Sequence, residues 1–244
     1  MLVSVVVAVM NASKTLQASL DSIAEQAIRY KEVLVIDGGS TDGSIGIIER
    51  NAGNIAYWCS EPDRGIYDAW NKALSHASGE WICFLGADDT FANPHSLGQL
   101  LDAGSDADIV AGRVAIVDSA GTTRRLVGGP WNWQAMRSHQ TIAHPGSLHR
   151  ATLFTRFGGF DSTLRIAGDY DFLLRLGPTA RVRFVDAVVV RMRGGGVSRR
   201  SLLPVLMESW RVQARHSAIG PVRATWNFCR ANATGAARRA LGRE

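Results

Sequence analysis

The strongest constraint sits at the start of the chain, where Val3–Val9 is an apolar run without polar alternation. A strand with no polar face is buried on both sides, as in a parallel sheet covered front and back by helices. The next hundred residues keep that plan. Ser13 is placed to cap a helix in which Leu16, Leu20, Ile23 and Ala27 hold helical spacing. Val33–Ile36 is the next strand, closed by Asp37 and a glycine-rich turn, and a short helix runs from Thr41 or Asp42 to about Arg50. Ile55–Ser60 reads as a strand, Ile66–Ala77 as a helix and Trp81–Leu85 as a strand. After Pro94 a helix runs to about Ala103, and Ile109–Val117 is a further strand. This alternation predicts an α/β fold with a single Rossmann-like, mostly parallel sheet flanked by helices.

The second half changes character. Residues 118–150 hold Gly, Pro, Trp and three His with little periodicity, so loops and hairpins are expected there. Asp169–Leu176 looks helical, Val182–Val190 suits one or two strands, and Leu202–His216 is a helix with Leu203, Leu206, Trp210 and Ala214 near helical spacing. The stretch from Pro221 mixes Arg with Trp226 and Phe228 and is compatible with a helix. The expected division is one α/β domain over 1–200 and a basic, helical C-terminal appendage over 201–244.

With 244 residues, of which 46% are hydrophobic and 20% charged, the chain can bury a full core and is too apolar for disorder. No stretch reaches the roughly 18–20 uncharged apolar residues of a membrane span. The first strand follows the initiator Met at once, leaving no room for a secretory leader, so a cytoplasmic setting is expected. Cys59, Cys83 and Cys229 lie far apart, which speaks against a disulfide framework or a structural zinc site. Of the net charge of +5, the region from 199 onward carries 9 Lys+Arg against 2 Asp+Glu, while the rest is near neutral. A basic tail favours polyanions. No nucleic-acid motif accompanies it, so the expectation is peripheral contact with the inner face of a cell membrane. A solvated surface or a contact between copies are the alternatives.

In open α/β sheets ligands bind beyond the carboxyl ends of the strands. Three strand ends carry polar and glycine residues: Ala8-Val9-Met10-Asn11, Asp37-Gly38-Gly39-Ser40-Thr41-Asp42, and Gly86-Ala87-Asp88-Asp89. Neither a dinucleotide fingerprint nor a P-loop is present, so phosphates must be neutralised otherwise. Two adjacent aspartates at a strand end suit a divalent cation shared with substrate phosphates.

Five blocks in fixed order tie the chain to a known family. They are Ser4–Asn11, Val33–Gly43, Ser60–Ala73 (Ser-Glu-Pro-Asp-Arg-Gly-Ile-Tyr-Asp-Ala-Trp-Asn-Lys-Ala), Gly79–Asp89 and Gly168–Leu176. Together they resemble family 2 glycosyltransferases of the GT-A fold, bacterial enzymes that use nucleotide-sugar donors. The resemblance runs from about Ser4 to Arg200 and is closest, in the third block, to enzymes building exopolysaccharide, O-antigen or glycolipid sugars. It implies an inverting transfer to a glycan or lipid-linked acceptor hydroxyl. Ala8, Val9 and Asn11 would line the nucleoside, and Asp37 and Gly38 would face base or ribose. Asp63, Arg64, Gly65, Asp68 and Lys72 would lie beside the nucleotide-sugar. Asp88 would touch ribose or sugar, and Asp89 would hold Mg²⁺ or Mn²⁺. Asp169 would be the base, with Asp171 its rival, and His144 would stand near the diphosphate. UDP is the first expectation as donor nucleotide, with GDP and dTDP open.

The chain departs from the family pattern at Gly38, Ala87 and Gly168, where acidic residues are common; Gly168 predicts a less negative acceptor side. Plainer roles also exist for these residues. Asp88-Asp89 can cap the following helix, Asp37-Gly38-Gly39 can be an ordinary turn, and Asp169 can complement a helix dipole. His139, His144 and His149 recur every five residues, a spacing that suits neither a helix face nor a strand face for zinc. Trp131 and Trp133 can stack on a sugar or close the core, and Gly194–Ser198 resembles a mobile loop near the donor. Two rival readings are a sugar-phosphate nucleotidyltransferase, whose basic glycine-rich loop is missing after the first strand, and a non-catalytic nucleotide- or membrane-binding relative.

Overall fold

The computed structural model describes residues 1–194, 202–216 and 220. In the first half the elements are β1 (Val3–Val9), α1 (Leu16–Ala24), β2 (Lys31–Asp37), α2 (Ser44–Arg50), β3 (Tyr57–Ser60), α3 (Ile66–Leu74), β4 (Trp81–Gly86), β5 (Thr90–Phe91) and α4 (Ser96–Asp102). The second half adds β6 (Ile109–Val117), β7 (Thr123–Val127), α5 (Trp133–Met136), β8 (Ser147–Arg150), α6 (Ala151–Phe157), α7 (Gly168–Leu176), β9 (Val182–Arg193) and α8 (Leu202–Arg215).

The strands form one sheet in the order β3-β2-β1-β4-β8-β6-β9-β5, with β7 paired to β6. Strands β3, β2, β1 and β4 are parallel neighbours. Strand β8 runs antiparallel between β4 and β6, and β9 returns parallel to β6. With β5 and β7 also reversed, six of the nine strands share one direction, as the α/β reading expects.

The buried run of β1 is divided between two cores. Val3, Val5, Val7 and Val9 face α1, α2 and α4, together with Trp81, Cys83 and Leu85 of β4. Val6, Ile82 and Phe84 face the other way, against α3, α6, α7 and Val212 of α8. Alternate residues therefore serve opposite layers, which is why no polar residue interrupts the pattern except Ser4, whose hydroxyl donates to Glu32.

Some element boundaries differ from expectation. Helix α1 starts after Thr15 rather than at Ser13, because the Ser13 amide is taken by Asp42 Oδ2 at 2.9 Å. It ends at Ala24, three residues short of Ala27, and α3 likewise stops at Leu74. The two-strand alternative for 182–190 resolves into one strand, β9, whose register against β6 shifts around Arg113. Residues 118–150 do contain a hairpin, β6–β7, but also β8, a short strand in the middle of the sheet. The sequence from Pro221, and Gly195–Ser198, lie outside the described residues.

Candidate active site

The ends of β1, β2 and β4 are level: Val9 pairs with Asp37 and Ala8 with Gly86. Their loops are stitched together. Asn11, the one non-glycine residue with a left-handed backbone (φ 51°) among those described, donates its amide to Ser40 Oγ (2.7 Å). Its side-chain oxygen accepts from the Thr41 amide at 2.9 Å. Beyond these ends opens a cleft of about 2100 Å³. It is lined by Ala8, Val9, Asn11, Gly38, Asp63 and Gly65, by Asp88 and Asp89 after β4, and by His144 and Asp169 from the second half of the chain.

Asp37 stands behind this wall. Its Oδ2 accepts from the amides of Gly39 (3.0 Å) and Ser40 (2.9 Å) and from Ser60 Oγ (2.7 Å), so it shapes the turn. Its Oδ1 is buried without a partner. The Gly38 departure has a steric reason: a Cβ there would lie 2.6 Å from Asp63 Oδ2. Asp63, held by the Gly65 amide at 2.8 Å, brings its carboxylate over the place a side chain at 38 would fill.

Asp88 and Asp89 converge in the same manner above Gly86, where a Cβ would stand 3.0 Å from Asp88 Oδ1 and 2.7 Å from Asp89 Oδ2. Asp89 is 3% exposed and its Oδ1 has no hydrogen-bond partner. Burial, reinforced by the Asp88 charge, pushes its carboxyl up to about 7, offset in part by backbone amides of Arg193 and Gly86. A pair of carboxylates with an orphaned buried oxygen fits a hard divalent cation that takes its remaining ligands from phosphate and water. Among the described residues no cluster of three or more protein ligands exists, so such an ion would depend on the substrate.

Asp169 sits in the first turn of α7. The Tyr67 hydroxyl proton is shared between Asp169 Oδ1 (3.1 Å) and the Ile166 carbonyl (2.7 Å), and Gln140 Nε2 donates to Asp169 Oδ2 (2.9 Å). Burial raises the Asp169 carboxyl above its ordinary value, and these two donors pull it partly back. Burial and the Asp169 charge hold the Tyr67 phenol well above its usual range, so it remains a donor. Sequence reasoning misses both Tyr67 and Gln140; the only signal is Tyr67's place in the third block. Gly168 explains itself here, because a Cβ would meet the Tyr67 ring at 2.7 Å.

Of the other candidates His139 and His144 line the cleft, and the rest stand elsewhere. Asp171 faces away from the cleft and pairs with Arg175 (3.1 Å) and His216 (2.8 Å). Arg64 pairs with Asp68 at 3.1 Å and Lys72 with Glu61 at 2.8 Å, outside the residues lining the cleft. His144 is 2% exposed, stacked between Trp70 (4.9 Å) and Phe84 (5.1 Å), with both ring nitrogens unpartnered. Burial pushes it down to about 3, so it is neutral. His149 is buried beside it, whereas His139 is exposed. Trp131 and Trp133 pack against the second core and do not line the cleft.

A mostly parallel sheet whose strand ends open into one cleft, with the Asp88–Asp89 pair after β4 and Asp169 on α7 both lining it, is a GT-A-type arrangement. Similarity to known proteins places it further. The sequence model of "Glycosyl transferase family 2" matches residues 4–163, and the chain belongs to that family. A PGL/p-HBAD biosynthesis glycosyltransferase of Mycobacterium bovis is 30% identical over 204 residues, covering 80% of this chain and 78% of that protein. An uncharacterized glycosyltransferase of Mycobacterium tuberculosis is 35% identical over 183 residues, covering 71% and 68%. Among solved structures, the mannosyltransferase PcManGT of Pyrobaculum calidifontis, in complex with GDP-Man and Mn²⁺, superposes with a TM-score of 0.69 at 22% identity, covering 98% of this chain and 75% of that one. S. aureus TarS with UDP-GlcNAc gives 0.68 at 19% identity, covering 93% and 70%. These structures share the fold, and the chain is a family 2 glycosyltransferase.

Proposed function

We propose that the chain is a divalent-metal-dependent, inverting glycosyltransferase that moves a sugar from a nucleoside-diphosphate donor to a hydroxyl of a glycan or lipid-linked acceptor. The observation that carries this reading is the position of Asp169. It shares one cleft with the Asp88–Asp89 pair, and its carboxylate is aimed by Tyr67 and Gln140. The nucleoside would lie along Ala8, Val9 and Asn11, with Gly38 and Asp63 at its base and ribose, and Asp37, expected there from the resemblance, instead holding the turn behind them. Asp88 and Asp89 would hold Mg²⁺ or Mn²⁺, which when bound supplies positive charge to the diphosphate.

The acceptor oxygen attacks the anomeric carbon as the bond from that carbon to the diphosphate oxygen breaks, inverting the centre. The acceptor proton passes to Asp169, and the nucleoside diphosphate leaves. A carboxylate raised above its ordinary pKa is a better base at neutral pH, provided it stays ionised. The GDP-Man and UDP-GlcNAc complexes of the neighbours, and the glycolipid role named for the mycobacterial relatives, support the donor and acceptor classes. The basic sequence from 199 onward, 9 Lys+Arg against 2 Asp+Glu, supports placing the reaction at the inner face of the cell membrane; among the described residues no helix is long and apolar enough to cross a membrane.

The test is a thermal-shift panel of UDP, GDP, dTDP and CDP with and without Mn²⁺. A nucleotide at a hundred times its dissociation constant stabilises by about 2.7 kcal/mol. One nucleotide is expected to stabilise only with metal, and to lose that effect in Asp89→Ala. Asp169→Asn is expected to keep the shift and lose transfer. A panel without any metal-dependent shift, or transfer that survives Asp169→Asn, would overturn the reading.

A further inference from the structure

We infer that the outer face of α8 is a docking surface for an anionic lipid bilayer, placed so that the mouth of the cleft opens at the membrane. Helix α8 is fastened to the domain by its inner face. Glu208, the only acidic residue in the helix, accepts from the backbone amides of Arg165, Ile166 and Ala167 at 2.7–3.1 Å. Gln213 reaches Ser138 O and the Tyr170 hydroxyl, and Val212 is buried in the second core. That anchoring fixes which face is turned outward.

The outward face is apolar where a solvated helix would be polar. Leu203, Met207, Trp210 and Ala214 fall at i, i+4, i+7 and i+11 and are exposed, the first three by 51%, 41% and 39%. The described residues include eight exposed large hydrophobics, and their distribution is uneven. Met10, Ile66 and Trp210 line the cleft, and Leu203 and Met207 share the helix stripe with Trp210. Three of the eight therefore line the cleft, and two more continue the α8 stripe beside it.

Charge selects the occupant. Arg211 flanks the stripe and Arg165 stands at the cleft, while Arg215 is paired with Asp161 at 2.6 Å and the one carboxylate of α8 is turned inward. A second copy docking by the same face would set these arginines against themselves, since an isologous contact pairs a patch with its own copy. An anionic headgroup layer complements them while the Leu, Met and Trp side chains enter the acyl boundary. The sequence from 199 onward, Arg211 and Arg215 included, carries 9 Lys+Arg against 2 Asp+Glu, a positive balance that an anionic surface attracts. The surface gives a physical reason for a lipid-linked acceptor, yet it stands on exposure and charge without needing the transferase reading.

The test is vesicle co-sedimentation of the full chain, without nucleotide or acceptor, on phosphatidylcholine alone and with added phosphatidylglycerol. The wild type is expected to bind the anionic vesicles, more weakly as salt rises. Leu203→Glu with Met207→Glu is expected to lower partitioning about tenfold or more at an unchanged melting temperature. If that pair fails to fold, Met207→Ser and Arg211→Ser, each made alone, are expected to weaken binding and, for Arg211→Ser, to flatten the salt dependence. Failure of the wild type to bind anionic vesicles would overturn the inference. So would variants that bind as tightly as wild type, or a stripe whose substitution instead dissolves a concentration-dependent oligomer.

Discussion

At the residue scale the behaviour of Asp169 is set by two opposed influences: burial raises its carboxyl, and hydrogen bonds from Gln140 and Tyr67 lower it. Proton acceptance requires the ionised form, so activity should fall on an acidic limb lying above the ordinary carboxylate range. Tyr67→Phe removes one of the lowering donors, and the limb should move to higher pH while the alkaline plateau changes less. A kcat–pH profile checks this; a limb that stays put would show the phenol to be merely structural. Asp169→Asn should cost about 10²–10⁴-fold in kcat, the usual range for a positioned base. Gly168→Ala places a Cβ 2.7 Å from the Tyr67 ring, so the ring must shift off Asp169. It should mimic Tyr67→Phe in the pH profile, with a lower melting temperature as well.

At the element scale α8 does more than cover the second core. The loop of residues 165–167 that leads into α7 presents three successive amides, and Glu208 accepts from all of them. Glu208→Ala returns the exposed Arg165 amide to water and leaves the part-buried Ile166 and Ala167 amides short of a partner, at about 1 kcal/mol. A melting curve should show the loss, and kcat should fall with little change in donor KM, because the displaced group is Asp169 rather than the nucleotide wall. Glu208→Gln should recover part of both. This link between α8 and α7 was not legible in the sequence, since it pairs residues some forty positions apart. The parallel strands β1, β2, β4 and β6 were legible because each is a run of apolar residues buried on both faces. Strand β8 was not: it is four residues long, and Ser147 and His149 are fully buried in it without any apolar run to announce them. Helix α6 begins at once after it, so no turn residues marked the boundary. The acidic pair Asp88-Asp89 could be read at a strand end, whereas Tyr67 and Gln140 depend on how α3 and the loop before β8 fold over α7.

At the scale of the whole molecule, buried groups of opposite sign oppose one another in the pH dependence of stability. His144 and His149 are neutral in the fold, lowered by burial, His144 to about 3. The unfolded chain takes up a proton on each near 6.5, so below that value it is favoured, and stability is lost as pH falls. Between pH 7.5 and 5.5 each histidine costs up to about 1.4 kcal/mol, the equivalent of one pKa unit. Asp89 acts the other way. Its carboxyl is raised to about 7, so the metal-free fold binds a proton there that the unfolded chain does not, and acidification stabilises it. In chelator, then, the wild type should lose less stability across this window than the two histidines alone would cost, because Asp89 offsets part of the loss. Asp89→Asn removes the compensating group: it should be more stable than wild type at pH 7.5 and should lose stability more steeply toward pH 5.5. His144→Phe with His149→Phe removes the other side and should become more stable on acidification. Melting curves of the three proteins at matched ionic strength decide the matter. Parallel pH slopes would show that the histidines and Asp89 are not held in the protonation states their burial imposes.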